Sequence, residues 1–220
     1  MSLLVQNRKM KNSSNGDVKV FNFGIPAFRS STGLMTCPMA GACAAGCYAK
    51  SGAYLWGTVK NAYENRLQAT LATDFVDQVS AELERILKST KTVVVRIHDS
   101  GDFYSMEYFK KWLTIMLKYP HVQFYAYTKM VKMLKGSNIP ANFTLIFSLG
   151  GKQDSLINPL LDRHSRVFTS QKELKKAGYI DTSKNDLLAI GKNKKIGLVY
   201  HGAKSYQNTL WGKVKAEAVA

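Results

Sequence analysis

Cys37, Cys43 and Cys47 are the whole thiol supply of the chain, and all three fall in one stretch, TCPMAGACAAGCYAKSG, at 36–52. An odd set of cysteines confined to one loop does not make a disulfide framework. Cysteines used as small core hydrophobes would be scattered among strands and helices. Metal ligation or a reactive thiol remains. The spacing C-x5-C-x3-C differs from the paired C-x2-4-C spacing common in structural zinc sites. Zinc would also need a fourth ligand from His98, His121, His164, His201 or a carboxylate. A cubane 4Fe-4S cluster accepts three thiolates and leaves one iron open to a substrate, a cofactor or a non-cysteine ligand. Pro38, Gly41, Gly46 and the intervening alanines let backbone wrap an inorganic core and turn amide N–H groups toward its sulfurs. The expectation is a 4Fe-4S cluster held by Cys37, Cys43 and Cys47. Zinc, or a loop without metal, is the alternative.

A second concentration of chemistry is HDSGDFYS at 98–105. A histidine followed by two acids can bind metal or move protons, and Gly101 permits close approach by a ligand. The plainer reading is a strand-to-helix turn in which Asp102 or Ser105 caps the next helix. Asp99, Asp102 and Lys129 are the catalytic candidates. Ser100, Gly101, Asp102, Ser148 and Gly150 are the cofactor-binding candidates. His98 and His201 can each be a satisfied core histidine or a functional one, whereas His121, after Pro120, reads as surface. Lys129 can hold an anionic group or simply snorkel.

These residues need a scaffold that brings them together, and the chain alternates between strand and helix patterns. Strands are expected at 17–27, 93–97, 122–129, 143–151, 166–170 and 194–204. Between them lie helical stretches: a long one over 58–88 interrupted at 72–74, with Thr73 as a possible cap, then one after Ser105 that stops at Pro120. Shorter ones follow at 131–136, in the Pro-interrupted 155–164, and in 171–178 closed by Gly178. The stripe Tyr108, Trp112, Ile115 and Met116 falls at helical spacing and reads as core. Repeated β-α units imply parallel strands under covering helices. The expected fold is a single α/β domain over 1–220, a partial or irregular (β/α) barrel of about six parallel strands. Apolar runs repeatedly give way to polar or small residues at their C-terminal ends. In parallel α/β folds that edge carries the site, so the cysteine loop and these turns should share one cavity.

Composition narrows the classes. The chain has 220 residues, 45% hydrophobic and 21% charged, an ordinary globular balance. No window approaches the roughly 20 apolar residues of a membrane helix, and the N-terminus carries no signal-peptide pattern. A cytoplasmic protein without a membrane partner is expected. With 31 basic and 15 acidic residues the formal charge is +16, which favours contact with polyanions such as nucleic acid. Tyr54, Trp56, Tyr125 and Tyr127 would be available for base stacking. A host protein is the other partner considered, for a zinc-stapled interaction module.

The order of strand, three-cysteine loop, helix and a strand ending in Ser100, Gly101 and Asp102 resembles radical S-adenosylmethionine enzymes. That resemblance implies a partial barrel, a three-cysteine 4Fe-4S cluster and S-adenosylmethionine as cofactor, its amine held by the segment 100–102. The usual loop of those enzymes is C-x3-C-x2-C with an aromatic before the last cysteine; here Tyr48 follows it. A closer resemblance, carried by CPMAGACAAGCYAKSG, RIHDSGDFYSMEYFKKW and FYAYTK, is to the "gene product eighty-eight" family of phage and plasmid proteins. It implies a phage or mobile-element setting, hence the cytoplasm of a host cell, and no particular reaction.

Overall fold

Seven strands form one sheet in the computed structural model, which describes residues 2–200. They are β1 (Val18–Phe23), β2 (Thr92–Ile97), β3 (Gln123–Thr128), β4 (Phe143–Ser148), β5 (His164–Phe168), β6 (Ile180–Asp181) and β7 (Lys195–Val199). The spatial order is β1-β2-β3-β4-β5-β7-β6, and every adjacent pair is parallel. The sheet curls into a half-barrel, so the expected partial barrel is observed with one more strand. That strand, β6, is two residues long and pairs only with β7, at the sheet edge. It is too short to leave a hydrophobic run in the sequence.

The helices are α1 (Arg8–Ser13), α2 (Gly57–Leu71), α3 (Phe75–Leu87), α4 (Met106–Lys118), α5 (Val131–Leu134) and α6 (Gln171–Lys176). Among the described residues no helix is long and apolar enough to cross a membrane. Alternation along the strands divides the core in two. Phe23, Val95, Ile97 and Phe124 pack with Phe75 and Val79 of α3 and Phe109 and Trp112 of α4. Val20, Val94, Tyr125 and Ile196 face the other way, toward Met10 of α1 and Ala189. The β-branched run of β2 is therefore covered on both faces, as a parallel interior strand requires.

Local signals explain most element ends. Ser105 caps α4, its Oγ accepting from the Tyr108 N–H at 3.1 Å, and the helix stops before Pro120. Gly178, with φ +73, turns the chain beyond α6 in a left-handed conformation that costs glycine little. Two expectations fail. Thr73 does not cap α3; Asp74 takes that place without a side-chain cap bond. The 155–164 stretch is no helix beyond a single 3-10 turn, Asp154–Leu156. Asn158 Oδ1 instead accepts the Leu160 and Leu161 N–H groups, an Asx-type turn that outcompetes helix. Helix α1 was unforeseen; Asn7 caps it through the Met10 N–H. The final strand ends at Val199, and His201 lies outside the described residues.

Candidate functional site

The cysteine loop hangs between β1 and α2 and is stitched to the end of β4. Ala40 and Gly151 form an antiparallel bridge, and the Lys152 N–H donates to Met39 O at 2.9 Å. The Gly41 and Cys43 N–H groups both donate to Gly150 O, at 3.3 and 3.2 Å. The two backbones cross so closely that a Cβ on Gly41 would stand 2.9 Å from the carbonyl carbon of Gly151. Gly150, expected to bind a cofactor, thus serves to seat the cysteine loop. At the loop's start the Phe28 N–H donates to Cys37 Sγ at 3.3 Å. That amide comes from outside the small-residue loop, not from the glycines and alanines between the thiols.

Cys37, Cys43 and Cys47 all line one cavity of about 820 Å³ at the C-terminal edge of the sheet, within the size range of small-molecule sites. Asp102, Lys129 and Ser148 line the same cavity, so sequence-distant candidates do converge. Lys129 donates from Nζ to Ser148 Oγ at 2.8 Å. Burial alone would lower its ammonium, but Cys43, Asp102 and Cys37 outweigh burial and hold it above the usual lysine range. Burial pushes the Cys37 thiol up to about 12, with Asp102 adding to the shift. Left to itself Cys37 stays protonated at neutral pH; a metal would have to displace that proton.

The donor set can be tested against the two inorganic guests. Tetrahedral zinc with Zn–S bonds of about 2.3 Å sets sulfurs about 3.8 Å apart. Among the described residues no three of His, Cys, Asp and Glu converge to hold a single ion. A cubane asks for a wider spread, because each thiolate binds a different iron. Cys37, Cys43 and Cys47 line one cavity with Lys129 and do not themselves form such a single-ion group. The histidines offer little. His98 is buried with φ +67, its Nε2 is 2.8 Å from Tyr108 Oη, and burial with Arg96 pushes the imidazole down to about 3. It is a neutral core histidine. His121 is exposed, as expected. His164 begins β5, at the N-terminal end of the strand opposite the cavity edge, and both ring nitrogens already have partners in Asp162 O and Tyr179 Oη.

The 98–105 turn divides its labour. Asp102 is consumed by structure: Oδ1 accepts from the Phe103 N–H and Thr128 Oγ1, and Oδ2 from the Lys129 N–H. It ties the end of β2 to the end of β3. Gly101, at φ +84, is needed for packing as well, since a Cβ there would lie 2.2 Å from Ile25 Cγ1. Asp99 is different. Its Oδ2 accepts from Tyr63 Oη at 2.9 Å and Asn7 Nδ2 at 3.2 Å, while Oδ1 is buried with no partner. Burial holds its carboxyl above the ordinary range, against the pull of Arg96. Ser100 Oγ is also buried and unpartnered. Tyr48, next to Cys47, donates its hydroxyl to the Asp99 carbonyl and so links the two ends of the cavity.

Asn22, Arg66 and Arg96 line this cavity without having been singled out from sequence. The available signal was a polar residue inside an apolar strand, in VFNF and VVRI. Arg66 had none, because a helical arginine normally faces water. Of the aromatics expected for stacking, Tyr125 is corrected: it is fully buried and donates to Asp186 Oδ2 at 2.9 Å. Tyr127 packs against the Arg96 guanidinium, 5.0 Å from the ring centroid. Trp56 is 65% exposed.

Comparison with curated proteins and with solved structures returns no match. A family model does match, over residues 1–213, and it describes gene product 88. With nearly the whole sequence covered, the chain belongs to the gene product 88 family.

Proposed function

We propose that this protein is an iron–sulfur protein in which Cys37, Cys43 and Cys47 hold a 4Fe-4S cluster with its open iron toward the cavity. One observation carries the reading: three thiols from a single loop line the same cavity as Lys129, Asp102 and Ser148. When bound, such a cluster supplies one-electron chemistry and a Lewis-acidic iron. The chain's own contribution is positional. Gly150 and Gly151 seat the loop, the Phe28 amide supports the Cys37 sulfur, and Lys129 adds positive charge beside the thiols. That charge would offset the negative charge of a thiolate-bound cluster.

The test is iron, sulfide and zinc content with an absorption spectrum, on protein purified without air. About four iron and four sulfide per chain are expected, with a broad visible band bleached by dithionite and lost in Cys43→Ser. Zinc at one per chain, or no metal, overturns the reading. The radical-enzyme form adds S-adenosylmethionine at the open iron. It rests on the order of elements alone, and calorimetry on reduced, cluster-loaded protein decides it.

A second reading, binding of nucleic acid without catalysis, rests on the charge of +16 and on exposed lysines such as Lys172, Lys175 and Lys176 of α6. Salt-sensitive binding to generic DNA or RNA supports it; no binding at low salt removes it.

A further inference from the structure

Arg66 carries an inference independent of the cluster. It sits in α2, it is 5% exposed, and it lines the same cavity as the cysteines. Among the described residues it has no hydrogen-bond acceptor and no carboxylate within ion-pair reach, and its Nε is buried and unsatisfied. Asp99 feels its charge yet lies beyond that reach. An uncompensated buried guanidinium is costly, and proteins ordinarily pair it. Arg66 is nevertheless held in place, its guanidinium carbon 5.2 Å from the Tyr63 ring centroid. Tyr63 is fixed in turn by its hydroxyl on Asp99 Oδ2. The fork is thus oriented by an aromatic face, which leaves its N–H groups for something else.

The surroundings have the same sign. The cavity wall carries Arg8, Lys9, Arg66, Arg96 and Lys129 against Asp99 and Asp102. Arg96 and Lys9 share the buried carboxylate of Asp186, whereas Arg66, buried near Asp99, has no ion-pair partner among the described residues. Asn22 lies on the same wall, fully buried, with both amide atoms unpartnered. Such a set of donors matches an oxyanion, which takes two parallel N–H bonds from a guanidinium fork. We propose that Arg66 is the anchor of a ligand subsite, and that it binds the carboxylate or phosphate group of a small molecule occupying this cavity.

The experiment is a titration of the full-length protein with inorganic phosphate and, separately, with succinate. Chloride at matched ionic strength is the control, and thermal midpoint and calorimetry are the readouts. A saturable rise with one oxyanion is expected, and its identity tells phosphate ester from carboxylate. In Arg66→Met the affinity should fall at least tenfold. Arg66→Lys, which keeps the charge but loses the fork, should fall several-fold and serves as the second variant if the first does not fold. Iron content is measured on each Arg66 variant and should equal the parent's, so loss of the cluster and loss of the subsite are told apart. No oxyanion effect beyond chloride, or unchanged affinity in the folded Arg66 variants, overturns the proposal.

Discussion

Two arginines of the cavity wall, Arg96 and Arg66, show two ways of burying a charge. Arg96, near the C-terminal end of β2, donates from Nη1 to Asp186 Oδ2 at 2.8 Å, while Lys9 reaches Asp186 Oδ1 at 2.6 Å. Tyr125 adds a hydrogen bond to the same carboxylate, which is fully buried. Helix α1, β2, β3 and the turn Asp186–Ile190 are thereby joined through one side chain. Arg66 is as dry but has only a ring beside it. The first arrangement closes the inner face of the half-barrel beneath the cavity. The second leaves an unmet demand at the cavity wall. A satisfied buried charge reads as architecture, and an unsatisfied one as a place for a ligand.

The comparison breaks most visibly at Asp186. Asp186→Ala strands two half-buried cations, Arg96 and Lys9, and should cost about 3–5 kcal/mol, seen as a lower denaturation midpoint in urea. Should stability hold, the pairing beneath the cavity is not what closes the sheet. Asp102→Ala comes next. It removes the acceptor of three donors and should cost about 3 kcal/mol, whereas Asp99→Asn, at a carboxylate with an orphaned oxygen, should stay within about 1 kcal/mol. Equal effects at the two positions would erase the distinction between structural and available acid.

Gly41→Ala tests the seating of the cysteine loop. The added methyl meets the Gly151 backbone, and forcing the strands apart should cost about 1–3 kcal/mol, together with a loss of bound iron. Retained metal at unchanged stability would uncouple the loop from the end of β4. No loss of stability is expected for Arg66→Met without ligand, since no ion-pair partner is lost and an unpaired buried charge is removed. A large loss would make Arg66 structural.

Acid sharpens the contrast further. Burial would raise the Asp186 carboxyl, but Arg96 and Lys9 outweigh it and hold its folded-state value below the ordinary one. A depressed carboxyl contributes its full stability above the unfolded value of about 3.9. That contribution fades as pH falls through the lower folded value. The parent should therefore lose stability more steeply than Asp186→Ala below about pH 4, in urea midpoints measured across that range.

Much of this was legible beforehand. Hydrophobic runs such as VVV in β2 announce strands covered on both faces, Ser105 and Pro120 bound α4, and the three cysteines mark their loop by composition alone. The 155–164 stretch was misread as helix because the Asn158 side-chain turn and a helix compete on nearly equal terms, and periodicity sees only the helix. That Gly150 also seats the cysteine loop was not legible, because nothing local says that a loop more than a hundred residues earlier will cross it.

The sequence by itself determined the alternation of elements, the edge of the sheet where polarity gathers and the concentration of thiols. These follow from local propensity and hydrophobic period. Only the tertiary structure decided which charges are spoken for. Arg96 and Asp186 meet across 90 positions, whereas Arg66, unremarkable on its helix, is carried into a dry wall with no acid to meet it. Pairing depends on distance and on exclusion of water, and neither exists until the sheet has curled.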